Sequence, residues 1–221
     1  MRRIVTATLV AVALALGAWI AFGALSVSGI EQPKYEVVRQ ADGYEVRRYA
    51  PNIIAETDMP TLGMMDRGAG FRALAGYIFG GNSTRSKVAM TAPVVMDASP
   101  AGAQKIAMTA PVVMTKGTTE TGTMRPGTMR FVMPSEFKSI ADLPVPNDPR
   151  VRLLEVPARN VAVAAFSWWA TEGRVTAKSA ELVAALARDK TEVIGAPALA
   201  SYNPPFTPPF MQRHEIMVEV R

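Results

Sequence analysis

Apolar and polar residues alternate along several short segments of the chain, which is the pattern of half-buried β-strands. The pattern is written twice in nearly identical decapeptides, KVAMTAPVVM at 87–96 and KIAMTAPVVM at 105–114. One parity of the second copy is wholly apolar: Ile106, Met108, Ala110, Val112 and Met114. A proline inside each copy argues against helix, and DASPAGAQ between them favours a turn. We therefore predict that the copies pair as antiparallel strands, with each proline at an edge or a bulge.

Apolar residues spaced three and four apart indicate two helices. The first lies within TLGMMDRGAGFRALAGYIFGGN and stops at Gly80 and Gly81. Its periodic positions are Met64, Gly68, Phe71, Ala75 and Ile78. The second helix runs from about Thr171 to Lys190, and its apolar face holds Val175, Ser179, Leu182 and Leu186.

Strand patterns surround the two helices in the same order. YEVVRQ and YEVRRY form a hairpin around a turn at 41–43, PNIIAETDM continues extended, and MRFVMP alternates through Met129, Phe131 and Met133. VRLLEV and NVAVAAF are predicted to form the corresponding second hairpin, and ALASYN and HEIMVEV to close the chain as strands. Two hairpin-helix-strand-strand units predict an α+β domain at 31–221 with pseudo-twofold antiparallel sheets and two helices.

The N-terminal segment, residues 1–30, carries no charge between Arg3 and Glu31. It is long enough to cross a bilayer, which takes about 20 residues, and longer than the apolar region of an ordinary secretory signal. A retained transmembrane anchor is therefore favoured, and cleavage of a signal peptide near Ala24 is the alternative. In both cases Arg2 and Arg3 stay cytoplasmic, and the domain is delivered to the periplasm or the exterior.

Composition excludes several kinds of chemistry. The chain has no cysteine, which excludes disulfides, thiolate nucleophiles and covalent haem attachment. His214 is the one histidine, and no metal-site spacing accompanies it. The net charge of +5 is scattered along the chain without a nucleic-acid-binding motif, so we expect no nucleic-acid partner. No acid-base constellation is recognisable, and we expect a protein that is not an enzyme.

Two sequence features are candidates for ligand contact, and each has a structural alternative. The first feature is a set of alternating methionines in the two decapeptides, Met90, Met96, Met108 and Met114. They can line an apolar site, bind copper(I) or haem iron through sulfur, or fill the core. The glycines of the first helix allow either a flat ligand or the sheet to approach its backbone. Arg67 and Arg72 can hold ligand carboxylates there, or they are solvated.

The proline-rich loop SYNPPFTPPF before the last strand holds Tyr202, Phe206 and Phe210. Aromatic side chains held by prolines can form a lid over an apolar pocket or a plug over the core. His214 begins the inward face of the last strand, where it either accepts a structural hydrogen bond or serves as an axial metal ligand.

The segments YIFGGN, KVAMTAPVVM, KIAMTAPVVM, MRFVMPSEF, LPVPNDPRV and YNPPFTPPFMQRHEIMVEV resemble the SOUL haem-binding protein family, from about Tyr35 to Val220. The resemblance implies a distorted, pseudo-symmetric barrel-like sheet with two helices, and non-covalent binding of haem or another tetrapyrrole. It assigns the pocket to the first helix and the last loop. The cofactor-binding residues it implies are Arg67, Phe71, Leu74, Tyr77 and Tyr202, to which we add the neighbouring Phe206.

The resemblance supplies no axial histidine, because family members often carry asparagine at the position of His214. The doubled decapeptide recurs in similar bacterial sequences, which favours a structural role for it. Two other functions remain open: a general hydrophobic small-molecule module, similar to multidrug-sensing domains, and an interaction scaffold for a protein partner.

Overall fold

The computed structural model describes residues 2–59, 64–84, 103–120, 123–125 and 127–221. In this part of the chain there are three α-helices: α1 (Arg2–Leu25), α2 (Met64–Ile78) and α3 (Glu172–Arg188). The strands are β1 (Tyr35–Ala41), β2 (Tyr44–Tyr49), β3 (Asn52–Met59), β4 (Asn82–Ser83), β5 (Val112–Thr115), β6 (Thr118–Glu120), β7 (Thr123–Arg125), β8 (Gly127–Val132), β9 (Val145–Pro146), β10 (Arg152–Val156), β11 (Arg159–Phe166), β12 (Ala198–Ser201) and β13 (His214–Val220).

Nine of these strands form one antiparallel sheet in the order β1-β2-β11-β13-β12-β5-β8-β3-β10. The order repeats itself about the β12–β5 pair. On one side stand β2, β11, β13 and β12, and on the other stand β10, β3, β8 and β5. The units β2-β3-α2-β5-β8 and β10-β11-α3-β12-β13 therefore take equivalent positions in the strand order. The α+β class is as predicted, but these units do not begin with the predicted hairpins.

The first strand of each unit pairs with the second strand of the other unit. β2 pairs with β11, and β10 pairs with β3. The predicted hairpin of VRLLEV and NVAVAAF is therefore wrong. Its two-residue connection begins with Pro157, whose φ is fixed near −65° and is incompatible with the type I′ and II′ turns that two-residue hairpins favour.

The predicted first hairpin, β1 with β2, is confirmed. Its turn contains Gly43, whose φ of +81° is the left-handed conformation that such a turn requires. β1 and β10 are the edges of the sheet in the described part of the chain, and no closed barrel is found there. The barrel-like part of the expectation stays a prediction.

Each face of the sheet is packed. Helices α2 and α3 cover one face, over a core that includes the predicted Met129, Phe131 and Met133. The opposite face carries a smaller apolar cluster, composed of Tyr49, Ala110, Val161, Val163, Ala200, Tyr202 and Met217. Alternate residues of β11 and β13 enter the two clusters, which is the period of two that strands impose.

The second decapeptide is a strand only from Val112 onward. Ile106 and Met114 are buried in the helix-covered core, and Met108 and Val112 pack partly against it. Ala110 has the same parity but is buried in the cluster on the opposite face, so the predicted single apolar face does not hold at this residue. Met108 and Met114 are thus core residues. The first decapeptide, with Met90 and Met96, lies outside the described residues, so the pairing of the two copies is not tested.

Both predicted helices are confirmed. Thr171 caps α3 by accepting a hydrogen bond from the backbone of Arg174, and Val175, Leu182 and Leu186 are buried along one face. Helix α2 is followed by Gly80, whose φ of +110° suits a helix C-terminus.

Helix α1 is apolar and exposed almost throughout. Its segment Thr8–Leu25 has a mean hydropathy of 2.2, and 6% of that segment is buried. The length and composition would allow it to cross a membrane. Its C-terminal half touches the domain at the proline-rich loop, where the indole N–H of Trp19 donates a hydrogen bond of 2.8 Å to the backbone oxygen of Phe206.

Candidate functional site

Helix α2 offers an apolar outer face to solvent. Phe71 is 40% exposed and lies edge-on to Phe131, with 5.5 Å between ring centroids, while Met65 and Phe79 are more exposed still. A Cβ added at Gly76 would meet no atom of the described residues within 4 Å. The outer face of α2 therefore combines exposed apolar side chains with accessible backbone.

The helix glycines face in two directions. A Cβ at Gly70 would lie 3.6 Å from Met129 and from Thr57, so this glycine faces the sheet at ordinary packing distance. Gly68 and Gly76 point away from the sheet, and at Gly68 the near neighbour is the flexible end of Arg72.

Leu74 and Tyr77 lie on the buried side of α2 and pack it against the sheet. Both are buried to within 1% of their surface, and the Tyr77 hydroxyl donates a hydrogen bond of 3.0 Å to the backbone oxygen of Pro144. They fix α2 on the sheet. A ligand on the outer face would rest on the helix that these two residues hold in place.

Arg67 lies half-buried at the start of α2. Among the residues that the structure describes, its Nε is buried without a hydrogen-bond partner. Desolvation lowers the pKa of Arg67, and the charge of Glu172 partly opposes that shift. Because arginine stays protonated in proteins, Arg67 is a cation with an unsatisfied donor, which is suited to an anionic oxygen.

His214 is buried on the helix-covered face, and both of its ring nitrogens have partners. Nδ1 lies 3.0 Å from the Ser201 hydroxyl, and Nε2 lies 3.1 Å from Oε1 of Gln212. Ligation of a metal by either nitrogen would require one of these contacts to break. Within the described ranges, no group of three or more acidic or histidine side chains is placed to hold a metal ion.

The environment keeps His214 neutral. Desolvation is the main cause that lowers its pKa, and the charges of Arg174 and Arg67 lower it further, against a backbone hydrogen bond at Trp168 that raises it. The neutral ring packs against Phe166, with 5.3 Å between centroids. These features describe a structural histidine.

Tyr202 and Phe206 lie away from α2. Tyr202 belongs to the apolar cluster on the opposite face of the sheet. Phe206 contacts α1, with its ring centroid 5.6 Å from that of Phe22. The six predicted cofactor-binding residues therefore do not meet in one pocket: four belong to α2, one to the far face and one to the loop beside α1.

A buried ionic cluster surrounds Glu215, and the sequence analysis did not find it. Glu215 is wholly buried and accepts hydrogen bonds from Arg47 at 2.9 and 3.1 Å, from Arg213 at 2.6 and 3.2 Å, and from Tyr202 at 2.5 Å. Desolvation would raise the pKa of Glu215, but the hydrogen bonds, first that of Arg47, bring it below its usual value. Both oxygens of this carboxylate are therefore hydrogen-bonded to groups of the protein itself.

Two concave surfaces differ in their fitness for an apolar ligand. A cavity of about 620 Å³ lies between the segment after α1 and the ends of β3 and β10, and its lining includes Glu31, Lys34, Lys138 and Glu155. A groove of about 380 Å³ runs beside α2, lined by Ala69, Ala73, Gly76, Tyr77, Gly81, Asn147, Asp148 and two arginines, Arg72 and Arg150. The first is larger but charged. We favour the α2 side because small apolar residues lie there beside Arg72, whereas Arg150 is paired with Asp148. Arg67 and Phe71 lie on the same helix but are not among the residues that line this groove.

Solved structures share this fold at low sequence identity. The crystal structure of the EcmrR C-terminal domain matches with a TM-score of 0.55 at 8% identity, covering 85% of this chain and 98% of that one. The cryo-EM structure of an EcmrR–DNA complex matches with a TM-score of 0.50 at 9% identity, covering 82% of this chain and 59% of that one. Such identities show a common fold and nothing further. Among curated proteins, none matches this sequence.

The family comparison covers almost all of the chain beyond α1. The profile described as SOUL heme-binding protein matches residues 30–103 and 97–219. Each matched segment contains one copy of the decapeptide. The resemblance read from the sequence motifs is therefore confirmed.

Proposed function

Because the chain belongs to the SOUL heme-binding protein family, we propose that it binds haem or a related tetrapyrrole non-covalently on the outer face of α2. The observation that carries this assignment is Arg67, whose buried Nε has no partner in the described part of the chain, next to the half-exposed ring of Phe71. A porphyrin is a flat apolar ring with carboxylate arms. It would find apolar surface and an unsatisfied cation together here.

Arg67 and Arg72 border this face from opposite sides. Five residues apart on an α-helix, they project about 140° from one another. Arg72 can pair with one propionate, and Arg67, whose Nε is buried, can pair with the other through its terminal nitrogens, while Phe71 and the accessible backbone at Gly68 and Gly76 take the ring. Tyr202 lies on the other side of the sheet and His214 has both nitrogens engaged, so the proposal assigns neither of them to the ligand.

We further propose that α1 retains the protein in a membrane, with Arg2 and Arg3 on the cytoplasmic side and the domain in the periplasm or outside the cell. The apolar, exposed character of α1 supports this topology. Release after signal cleavage is the alternative. Alkaline extraction of membranes and protease protection of the domain test anchorage, and recovery of the chain in the soluble fraction would contradict it.

Titration of hemin into the full-length protein in detergent, followed by the Soret band, tests the ligand. We expect saturable binding, and weaker binding by about tenfold in Arg67→Gln, because a charge-assisted hydrogen bond contributes about 1.5–3 kcal/mol and exposure reduces it. Phe71→Ala should weaken binding as well.

Arg188→Gln is the matched control for the arginine substitution, because it removes an exposed cation from the last turn of α3. Its affinity should equal that of the unmodified protein. Absence of saturable binding by the unmodified protein would overturn the proposal. A His214→Asn variant that remains folded but loses the Soret shift would instead identify His214 as the iron ligand.

A further inference from the structure

Two neighbouring loops expose four large aromatic side chains. Trp168 and Trp169 follow β11, and Phe206 and Phe210 lie in the proline-rich loop before β13, and each is about half exposed. Neither 166–171 nor 202–212 contains a charged residue. Single exposed apolar side chains are common on proteins, but a cluster of aromatics without charges marks a surface that meets something apolar.

The structure holds these loops together in one position. The backbone N–H of Trp168 donates a hydrogen bond of 3.0 Å to the backbone oxygen of Pro209. Trp168 has a φ of +74°, which is costly for a bulky residue and is kept only where the surroundings enforce it. We call these four side chains the aromatic patch: Trp168, Trp169, Phe206 and Phe210.

Helix α1 contacts the aromatic patch near the end of its apolar segment. Trp19 is hydrogen-bonded to the backbone of Phe206, and a Cβ at Gly23 would lie 2.8 Å from Cδ of Pro208. Gly23 therefore allows the loop to approach the helix backbone closely. This contact fixes the height of the patch along α1.

The position at which the patch contacts α1 agrees with the level at which α1 would leave the bilayer on the side away from the cytoplasm. A hydrocarbon core takes about 20 helical residues. Counted from the end of the Arg2–Arg3 pair, this length brings the boundary to about Gly23, which is where the loop touches α1. Trp19 and Phe22 of the helix and the aromatic patch of the domain would then lie at one level, where tryptophan is enriched at membrane interfaces.

We propose that the aromatic patch inserts beside α1 into the membrane–water interface on the side away from the cytoplasm. The domain then lies on the lipid surface and is held there by α1 and by the patch. The proposal rests on the proposed anchorage by α1. Amphipathic rings suit this layer because one edge meets acyl chains and the other meets water. Arg174, which donates a hydrogen bond of 3.1 Å to the backbone oxygen of Ser167, places a cation beside the patch at the level of lipid phosphates.

The chain contains three tryptophans, Trp19 in α1 and two in the patch, so intrinsic fluorescence can report each location separately. The full-length protein is reconstituted in phosphatidylcholine vesicles, with bromine on the acyl chains either near the glycerol or near the chain end. Trp19→Phe leaves only the patch tryptophans. Trp168→Phe with Trp169→Phe leaves only Trp19, and reports α1.

We expect the patch tryptophans to emit at a shorter wavelength than they do in the unfolded protein. Their emission should fall in brominated vesicles, and it should fall further when the bromine lies near the glycerol than when it lies near the chain end. Trp19 should be quenched too. Quenching of Trp19 without quenching of the patch would overturn the proposal and leave anchorage intact. Absence of quenching at Trp19 as well would overturn both. If the patch tryptophans escaped quenching by bromine only when a protein partner was bound, the patch would be assigned to that partner and the proposal would be overturned.

Discussion

Replacing Glu215 with glutamine tests the buried ionic cluster, because it removes a charge and keeps the size of the side chain. Glu215 is wholly buried, and Arg47, which donates two hydrogen bonds to it, is 4% exposed. Removal of one partner from a buried ion pair costs about 3–5 kcal/mol. Arg47 would keep one counterion, Glu45, whose Oε1 lies 2.5 Å from its Nε, so we expect a loss no larger than this range. Arg213 is more exposed and can turn to water, so Arg47 accounts for most of the expected loss.

A loss of this size is a large share of the roughly 5–15 kcal/mol by which proteins are stable. In a domain of this length each kcal/mol lowers Tm by about 2–4 °C, so we expect Glu215→Gln to lower Tm by about 6–20 °C. Thermal unfolding of the full-length protein in detergent at neutral pH, followed by circular dichroism, measures this change.

Glu219→Gln is the matched control, since it alters the same strand and the same face. Glu219 is partly exposed and lies 4.0 Å from Arg159, and such a surface pair contributes about 0–1 kcal/mol. Equal changes in Tm for Glu215→Gln and Glu219→Gln would refute the reasoning. A second check is Arg47→Met, which combined with Glu215→Gln should cost less than the sum of the single changes.

Three further predictions concern α2, α3 and His214, and thermal or denaturant unfolding checks each. Leu74→Ala should lower the unfolding free energy by about 2–5 kcal/mol because it empties a buried position, whereas Tyr77→Phe should cost about 1 kcal/mol for one lost hydrogen bond. Thr171→Ala should cost about 1 kcal/mol by removing the cap of α3, and Thr176→Ala, exposed within the same helix, should not destabilise. The pKa of His214 is lowered below the unfolded value of 6.5, so the folded state binds fewer protons. Its contribution is complete above that pH and is lost as the pH falls, and His214→Asn should remove this part of the pH dependence.

Each of these predictions has a result that contradicts it. Equal losses in Leu74→Ala and Tyr77→Phe would mean that Leu74 is not packed as described. Equal effects of Thr171→Ala and Thr176→Ala on stability would show that the hydrogen bond accepted by Thr171 does not stabilise α3. An unchanged slope of stability against pH in His214→Asn would show that another group titrates in that range.

The elements of the fold were predictable wherever a local pattern decides them. The 3.6-residue period of α3 and the alternation of Met129, Phe131 and Met133 depend on which face of an element is buried, and the sequence displays that directly. The pairing of strands depends on contacts between distant segments. β10 and β11 are neighbours in the sequence, yet each pairs with a strand of the other unit, and only the proline at 157 hinted at it.

The candidate site shows the same division. The helix α2 and its glycines could be predicted from one local pattern, but that pattern grouped Phe71 with Ile78, and the structure buries Ile78 and leaves Phe71 40% exposed. The cluster around Glu215 could not be predicted, because Arg47 is 168 residues away along the chain and reaches the carboxylate only when β2 joins β11 and β13. Arg213, which directly precedes β13, and Glu215 have the same parity and were a partial signal, but two neighbouring residues of opposite charge do not show that the carboxylate is buried.

The two units of the fold give equivalent places to α2 and α3, yet their outer faces differ. Helix α3 presents charges, among them Lys178 and Glu181, which form an ion pair of 2.5 Å. Helix α2 presents Phe71, accessible glycine backbone and Arg67, whose Nε has no hydrogen-bond partner among the described residues. A tetrapyrrole laid on α3 would have to displace solvated charges, which is unfavourable. We therefore expect hemin to saturate at one equivalent per chain despite the internal duplication, and saturation at two would show that the duplicated fold, and not the particular face of α2, selects the ligand.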